Sequence, residues 1–394
     1  MINHQLKSAL IVLVLWAAGL GAAAQFGKIS VLYDFLGARY AGDGGAIRIG
    51  LLVSVVGLVG LIFGTTAGLL VSRIGPRRAI VAALVLGAVM SAVEASFPAY
   101  PIMIAARIFE GVSHLAIVVV GPTVIASVAS QRYQGLAMTL WSSFFGVTYA
   151  ALALIAPRLV AWGGAESLFL AHAGWMALCA AALVVLLPAD PAHIVVRSRK
   201  SILSQHVSIY SSPYIAAPAM GFFCYTVLYV ALLTLLPPLM PAAYVGLVGT
   251  GMPLVSIAVS LTLGVWLLGR LTPVALVQGG FGVAVIAMLA LWAVWGQGQA
   301  MVGTAFLLAS ALGIVQGASF ASIPYLNTSA DGRAGAAGAV AQLGNLGTTT
   351  GTPLLAVILA HSGAGGVVLF VIPFCLMGIV LHLVQKRRRI GRVS

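Results

Sequence analysis

Acidic residues, and charge in general, are scarce in this sequence of 394 residues. Asp and Glu together number seven, charged residues make up 7% of the chain, and Cys occurs three times. A soluble domain carries about 25% charged residues, so this chain has too little charge to cover a globular surface. An odd number of cysteines without a CxxC pair predicts neither a disulfide framework nor a zinc site. Seven scattered acidic residues predict no calcium or magnesium cage either.

Apolar residues are abundant instead, at 61% of the sequence, and the mean hydropathy is +1.10. A helix needs about 20 apolar residues to cross the hydrocarbon core of a bilayer. The apolar runs therefore predict an all-α polytopic membrane protein. Its twelve predicted transmembrane helices are 9–36, 46–71, 79–97, 101–126, 136–156, 168–188, 213–237, 246–268, 273–295, 301–324, 335–360 and 366–385. We interpret the first as a transmembrane helix and not as a cleaved signal, because many spans follow it.

Basic residues mark one side of the predicted membrane. The formal net charge is +13, yet most cations lie in short loops beside apolar segments. This positive-inside pattern reports topology and does not indicate nucleic acid as a partner. Fifteen of the twenty Lys and Arg residues fall on the same side of the predicted spans. That side is predicted to be the cytoplasm, so both termini are cytoplasmic in a multi-pass protein of the cell inner membrane.

The chain divides into two halves around its longest polar interruption. The predicted domains are an N-terminal six-helix bundle over 1–188, a central cytoplasmic loop over 189–212, and a C-terminal six-helix bundle with a basic tail over 213–394. Similar segments recur in the same order in both halves: Arg73–Pro76 matches Arg270–Pro273, and Phe109–Ser113 matches Val315–Ser319. An internal repeat of this kind is typical of transporters built from related halves.

One loop carries a family resemblance. The segment Gly68–Arg78 reads G-L-L-V-S-R-I-G-P-R-R and resembles the loop motif G-x-L-x-D-R-x-G-R-K of the major facilitator superfamily. The resemblance covers essentially the whole chain through its six plus six helices. The loop residues that it singles out are Gly68, Ser72, Arg73, Gly75 and Arg77. Glycine allows close contact and a tight turn there, and the arginines hold the loop in the cytoplasm. Serine replaces the family's usual Asp, which puts the family's charge latch in doubt.

A second match lies in the fourth predicted helix. The segment Arg107–Gly111 is similar to the family pattern R-x-x-Q-G, with Glu in place of Gln. The antiporter pattern G-P-x-x-G-G is missing from the fifth helix, which favours uptake over export. The general texture of the sequence is similar to the cyanate and nitroimidazole permease branch. The resemblance implies a secondary transporter working by alternating access, with the first, fourth, seventh and tenth helices lining a central cavity.

Ionisable side chains inside the bilayer are costly, so each is a candidate functional residue. Arg107, Glu110 and His114 are spaced i, i+3 and i+7 and share one face of a helix. We expect Glu110 and His114 to couple protons, because a carboxyl group in a poorly hydrated site can bind and release a proton near neutral pH. Arg107 would recognise charge on the substrate. The alternative is a permanent Arg107–Glu110 pair, with His114 hydrogen-bonded to a neighbouring helix.

The first helix adds a second cation. Gln25 and Lys28 are spaced i and i+3, and a lysine beside the arginine of the fourth helix would favour an anionic substrate. The alternative is that Lys28 reaches the lipid headgroups or pairs with Glu110, Glu94 or Asp34.

Uncharged candidates lie on three later helices. Tyr225 and Tyr229 present aromatic faces that suit a planar ligand, although an aromatic stripe also serves packing. Gln316 and Asn345 supply neutral hydrogen-bonding groups for the substrate site. His172 in the sixth helix is interpreted as a core residue.

Together these features predict a secondary active transporter for the proton-coupled uptake of a small organic anion. Its expected partners are the substrate, protons and the lipid bilayer, and we expect a monomer. We expect no enzyme activity, cofactor or metal, because no catalytic constellation and no nucleotide loop of the form G-x-x-x-x-G-K-S/T occurs. The alternatives are a proton antiporter exporting drugs or metabolites, a transporter of a neutral planar aromatic such as a flavin-like compound, and a membrane sensor that transports nothing.

Overall fold

The computed structural model describes residues 4–40, 45–190 and 202–391, and every regular element in these ranges is helical. The α-helices are α1 (His4–Val31), α2 (Tyr33–Tyr40), α3 (Gly45–Ile74), α4 (Pro76–Glu94), α5 (Tyr100–Val128), α6 (Gln134–Ser142), α7 (Phe144–Leu186), α8 (Ile202–Ser211), α9 (Ala216–Leu235), α10 (Val245–Val259), α11 (Val265–Leu268), α12 (Pro273–Ala293), α13 (Gln299–Leu326), α14 (Ala330–Ser362) and α15 (Gly366–Ile390). A π-helical turn, Ser260–Gly264, joins α10 to α11. Three basic residues of the predicted central cytoplasmic loop, Arg197, Arg199 and Lys200, lie outside the described ranges.

Many of these helices are long and apolar enough to span a bilayer. Among the described residues nine helical stretches meet that requirement, or ten when Gln134–Ser142 and Phe144–Leu152 are taken as one bent span. An all-α polytopic membrane protein is thereby confirmed, and the count of twelve spans stays a prediction. Several predicted boundaries agree closely with the structure, as at α12, whose predicted range was 273–295.

Local sequence explains where some helices begin. Both α4 and α12 have proline at their first position, where the missing N–H costs nothing and the fixed φ suits a helix. At α12 the preceding Thr272 caps the helix, because its Oγ1 accepts the Ala275 N–H at 3.2 Å. Ser329 caps α14 in the same way, accepting the Gly332 N–H at 3.1 Å.

The long helix α7 consists of two arms. Gly163 (φ −136°, ψ 18°) and Gly164 (φ 75°, ψ 175°) leave the helical conformation, and the second has a positive φ that glycine adopts without strain. The arms are 144–162 and 165–186. The sequence predicted two helices here, over 136–156 and 168–188, and the break falls between them.

Contacts between Cα atoms divide the chain into two compact units. Unit 1 comprises Met1–Ser130 and Phe144–Lys200, and unit 2 comprises Gln131–Ser143 and Ser201–Ser394. The short helix α6 is therefore grouped with the second half of the chain. The predicted domain limits at residues 188 and 213 stay a prediction.

Small residues let helices of the same unit approach closely. In unit 2 a Cβ on Gly351 of α14 would lie 2.1 Å from the Val227 carbonyl oxygen of α9. In unit 1 a Cβ on Gly111 of α5 would lie 2.8 Å from the Val56 carbonyl oxygen of α3. Close backbone approach at glycine is how membrane helices gain packing energy without a hydrophobic driving force.

Candidate functional site

Four charged side chains meet inside unit 1. Lys28 lies in the last turn of α1, Glu94 is the final residue of α4, and Arg107 and Glu110 lie near the start of α5. Because α4 and α5 form a hairpin, the end of one helix lies beside the start of the next. All four side chains have 0% exposure. We call this group the four-charge cluster.

The cations and carboxylates of the four-charge cluster are interleaved. Lys28 Nζ lies 2.6 Å from Glu110 Oε1 and 2.7 Å from Glu94 Oε2, and it donates to Ser91 Oγ at 2.8 Å. Arg107 Nη1 pairs with Glu110 Oε2, and its Nε donates to the Leu52 carbonyl of α3 at 2.9 Å. Two cations and two carboxylates sum to zero formal charge. Pairing of this kind is what buried charges require.

The two carboxylates are not equally satisfied. Glu110 accepts hydrogen bonds from both Lys28 and Arg107. Both carboxylate oxygens of Glu94 are buried without a hydrogen bond, since the close contact with Lys28 is an ion pair outside hydrogen-bond geometry. Arg107 Nη2 is also buried without a partner, and Nη1 of the same guanidinium lies 3.8 Å from Glu94 Oε1.

His172, on the second arm of α7, completes the surroundings of Lys28. Its Nε2 faces the Gly21 carbonyl at 2.9 Å, and because a carbonyl only accepts, Nε2 carries the hydrogen. Its Nδ1 lies 2.9 Å from Ser91 Oγ and 3.4 Å from Lys28 Nζ. In the neutral ring this nitrogen offers a lone pair to the ammonium group.

Sequence reasoning missed the roles of Glu94, Ser91 and His172. Glu94 was weighed only as one of several partners for Lys28, and His172 was interpreted as a core residue. The available signal was the i, i+3 spacing of Ser91 and Glu94 on one helix face. The side chain of Asp34, another partner considered for Lys28, is outside the described part of the structure.

The other polar candidates of unit 1, Gln25 and His114, lie about one helical turn from the four-charge cluster. Gln25 precedes Lys28 in α1, and His114 follows Glu110 in α5. His114 Nδ1 donates to the Ala22 carbonyl at 3.0 Å, and its ring packs edge-on against Phe26 with centroids 5.0 Å apart. Gln25 Nε2 donates to Ser113 Oγ at 3.1 Å, while its Oε1 is buried without a partner. The geometry of His114 matches the alternative in which it bonds to a neighbouring helix, and its predicted role in coupling stays a prediction.

The tyrosines of α9 form a stacked column in unit 2. The ring centroids of Tyr225 and Tyr229 are 5.0 Å apart, and Phe222 stacks on Tyr225 at 5.5 Å. Both tyrosines are buried. Gln316 Nε2 donates to the Ser142 carbonyl of α6 at 2.6 Å, and Asn345 Nδ2 donates within its own helix. The substrate contacts predicted for Tyr225, Tyr229, Gln316 and Asn345 stay predictions.

The turn between α3 and α4 leads into a helix start that an acidic residue caps. Gly75 has φ +98°, as the predicted tight turn requires. The Asp190 carboxylate accepts the backbone N–H groups of Arg77 at 3.1 Å and Arg78 at 2.9 Å. Arg77 also donates from Nη2 to the Val184 carbonyl at 2.6 Å. An acidic residue from the segment after α7 thus caps α4, where a negative charge is favourable.

Three further residues of the predicted loop motif lie at the end of α3. Arg73 is exposed, and the surroundings of Gly68 and Ser72 in α3 are outside the described part of the structure. Within the described ranges, no group of three His, Cys, Asp or Glu side chains is placed to hold a metal ion.

The chain belongs to the major facilitator superfamily. The family model of that description matches residues 11–345. Its members are transporters, so the chain is a multi-pass membrane transporter and not an enzyme. No curated protein matches the sequence.

Solved structures with the same fold include three transporters. The E. coli fucose:proton symporter FucP is 16% identical over 98% of this chain and 99% of its own, with a TM-score of 0.71. The proton:xylose symporter XylE is 15% identical over 98% and 96%, with a TM-score of 0.75. The human organic anion transporter MFSD10 is 16% identical over 97% and 100%, with a TM-score of 0.74. Identities this low show the fold alone.

Proposed function

We propose that this chain is a secondary transporter that takes up a small organic anion together with protons, and that Glu110 binds the coupled proton. The observation that carries the proposal is the four-charge cluster, which is fully buried around Glu110. Ionisable groups inside a membrane-spanning bundle are costly, and transporters use them for ion and proton coupling.

Charge balance links the proton to the anion. With both carboxylates ionised the cluster sums to zero, and one added proton raises the sum to +1. A positive sum attracts an anion in a poorly hydrated environment. Because binding linkage is reciprocal, a bound anion would equally strengthen proton binding. Net movement of both solutes in one direction is the expected result, since each promotes binding of the other.

The similar structures support the proposal without identifying the substrate. Two of them are named as proton symporters, for fucose and for xylose. A third is named as an organic anion transporter. These activities belong to those proteins, and they show that this fold can carry both halves of the proposal.

The proposal includes orientation and location. We propose that both termini lie in the cytoplasm and that the protein resides in the cell inner membrane. The basic loops support this orientation, because Lys and Arg accumulate on the cytoplasmic side. We propose a monomer, since the two halves of one chain supply both sides of an alternating-access transporter.

A neutral planar aromatic solute is the second candidate. The stacked column of Phe222, Tyr225 and Tyr229 favours it, because aromatic rings bind flat ligands by offset stacking. Such a solute would need no charge compensation from the four-charge cluster.

Flux into proteoliposomes under an imposed pH gradient tests the proposal. The panel contains small carboxylates, inorganic anions, neutral aromatics including flavin-like compounds, and lipophilic cations. Accumulation of a carboxylate when the exterior is acidic supports uptake with protons. Proton-driven expulsion would instead identify an exporter, and flux that ignores the gradient would remove proton coupling. Binding without flux would identify a sensor.

A further inference from the structure

Arg107 lies between two carboxylates but binds only one of them fully. Its Nη1 pairs with Glu110 and lies 3.8 Å from Glu94 Oε1. Its Nη2 is buried without a hydrogen-bond partner, and so are both oxygens of Glu94. A buried donor and buried acceptors left unsatisfied within one cluster are costly. The arrangement therefore contains a second, unused pairing.

We propose that Glu94 is a positioning residue for proton coupling: when Glu110 takes up a proton, the guanidinium of Arg107 leaves Glu110 and binds Glu94. The inference rests on the proposed function. One proton from solution adds to Glu110 Oε2, and the hydrogen bond from Arg107 Nη1 to that oxygen breaks. Nη1 and Nη2 then donate to the two oxygens of Glu94. No other bond changes, and the cluster gains one positive charge.

The exchange follows from the strengths of the two pairings. A guanidinium binds an ionised carboxylate about twice as strongly as a neutral acceptor, so protonated Glu110 loses its hold on Arg107. A buried arginine without an anionic partner would be strongly unfavourable. Glu94 offers two oxygens to a planar fork of donors, a geometry that suits arginine. The movement that brings Nη1 to Glu94 Oε1 is small, about 1 Å from 3.8 Å to normal hydrogen-bond distance.

The surrounding contacts permit this movement. Arg107 Nε stays anchored on the Leu52 carbonyl of α3, so the terminal nitrogens can turn about that contact. Lys28 lies within 2.7 Å of both carboxylates and keeps them close together. The titratable and charged groups that face the two carboxylates from the packed helices are Lys28 of α1, Tyr40 of α2, Arg107 of α5 and His172 of α7.

Infrared titration of the purified full-length protein tests the inference without a known substrate. The carbonyl band of a protonated carboxyl group is followed against pH, and the part due to Glu110 is the part lost in Glu110→Gln. We expect Glu94→Gln to move the midpoint of that band to lower pH by about one unit or more. Glu94→Asp keeps the charge but shortens the side chain, so we expect a smaller shift in the same direction. Glu166→Gln, on an exposed residue of α7, is the matched control and should leave the midpoint unchanged.

Glu94→Gln and Glu94→Asp are also measured in an Arg107→Gln background. This separates an effect of Glu94 through Arg107 from direct repulsion between the charges of Glu94 and Glu110. If Glu94 acts through Arg107, both shifts fall to less than half in that background. Undiminished shifts, or an unchanged midpoint in Glu94→Asp, would overturn the inference. If Glu94→Gln alone does not fold, the Glu94→Asp shift measured with and without Arg107→Gln supplies the same comparison. A band that Glu110→Gln leaves unchanged at every pH would overturn the proposed function itself, because Glu110 would then hold no proton.

Discussion

The two units both pack apolar helices closely, but they differ in the charged side chains that they bury. Unit 1 fully buries Lys28, Glu94, Arg107 and Glu110. Among the described residues of unit 2, no Lys, Arg, Asp or Glu side chain is buried. The buried polar side chains there belong to neutral residues or histidine, as at Ser256, Ser319 and His382. Close glycine contacts hold helices together in both units. The difference teaches that helix packing needs no buried charge, so the charges of unit 1 call for a functional explanation.

The cysteines make this comparison measurable. Cys179 lies in unit 1, whereas Cys224 and Cys375 lie in unit 2, and all three thiols are free and buried. Variants that keep only the first, or only the other two, would report unfolding of each unit through thiol labelling on heating. Each substitution is measured in both cysteine backgrounds, so that the two units are followed separately.

The largest effect is expected for Lys28→Met. Removing the ammonium leaves Glu94 and Glu110 to share Arg107 in a buried site, which costs about 3–5 kcal/mol when one partner of a buried pair is lost. Labelling of Cys179 should begin at a much lower temperature, and labelling of the unit 2 cysteines should change less. The added substitution Glu94→Gln restores a zero charge sum and should recover most of the loss. Equal stability of the single and double variants would contradict the account of unit 1.

Gly351→Ala is the counterpart in unit 2. The new Cβ would lie 2.1 Å from the Val227 carbonyl oxygen, so α9 and α14 must separate, at a cost of about 1–3 kcal/mol. The unit 2 reporters should register the loss. Gly282→Ala in α12, where a Cβ meets nothing within 4 Å, is the matched control and should not destabilise. An equal effect of both substitutions would mean that the close contact is unimportant.

The N-termini of α4 in unit 1 and α12 in unit 2 extend the comparison to helix capping, where smaller losses of stability are expected. Each helix begins with proline. Asp190, which is more than 100 residues away in the sequence, caps α4, whereas the adjacent residue Thr272 caps α12. We expect Asp190→Ala to destabilise unit 1 by about 1–2 kcal/mol, because two backbone N–H groups lose their acceptor. Asp190→Asn keeps an acceptor oxygen and should lose less. An unchanged Cys179 profile in the alanine variant would show that water replaces the cap.

The smallest effect is expected for Thr272→Ala. One backbone N–H loses its acceptor, and a single lost N-cap costs about 1 kcal/mol. The unit 2 reporters should shift slightly and Cys179 should not. A loss larger than that of Asp190→Ala would reverse the comparison between the two helix starts.

Sequence reasoning reached the elements that depend on local pattern. The membrane class follows from composition, α12 from its apolar run, and the tight turn at Gly75 from the loop motif. Arg107 and Glu110 could be paired from sequence, because a helix places residues three apart side by side. These features involve neighbours along the chain.

Contacts between distant segments could not be reached in this way. Asp190 lies 113 residues from Arg77, and His172 lies 144 residues from Lys28. Helical spacing shows which residues share a face but not which helix that face meets. Glu94 was therefore only one of several possible partners for Lys28, and its position beside Arg107 emerged from the packing of α4 against α5.

The central claim is that unit 1 couples protons through Glu110. Its most direct test uses proteoliposomes containing Glu110→Gln, with Glu166→Gln as control, and the solute that the flux panel identifies. Accumulation under a pH gradient and exchange of labelled for unlabelled solute are measured side by side. We expect Glu110→Gln to abolish accumulation and to retain exchange, because solute binding survives while the proton site is lost. Gradient-driven accumulation equal to that of the control would contradict the claim.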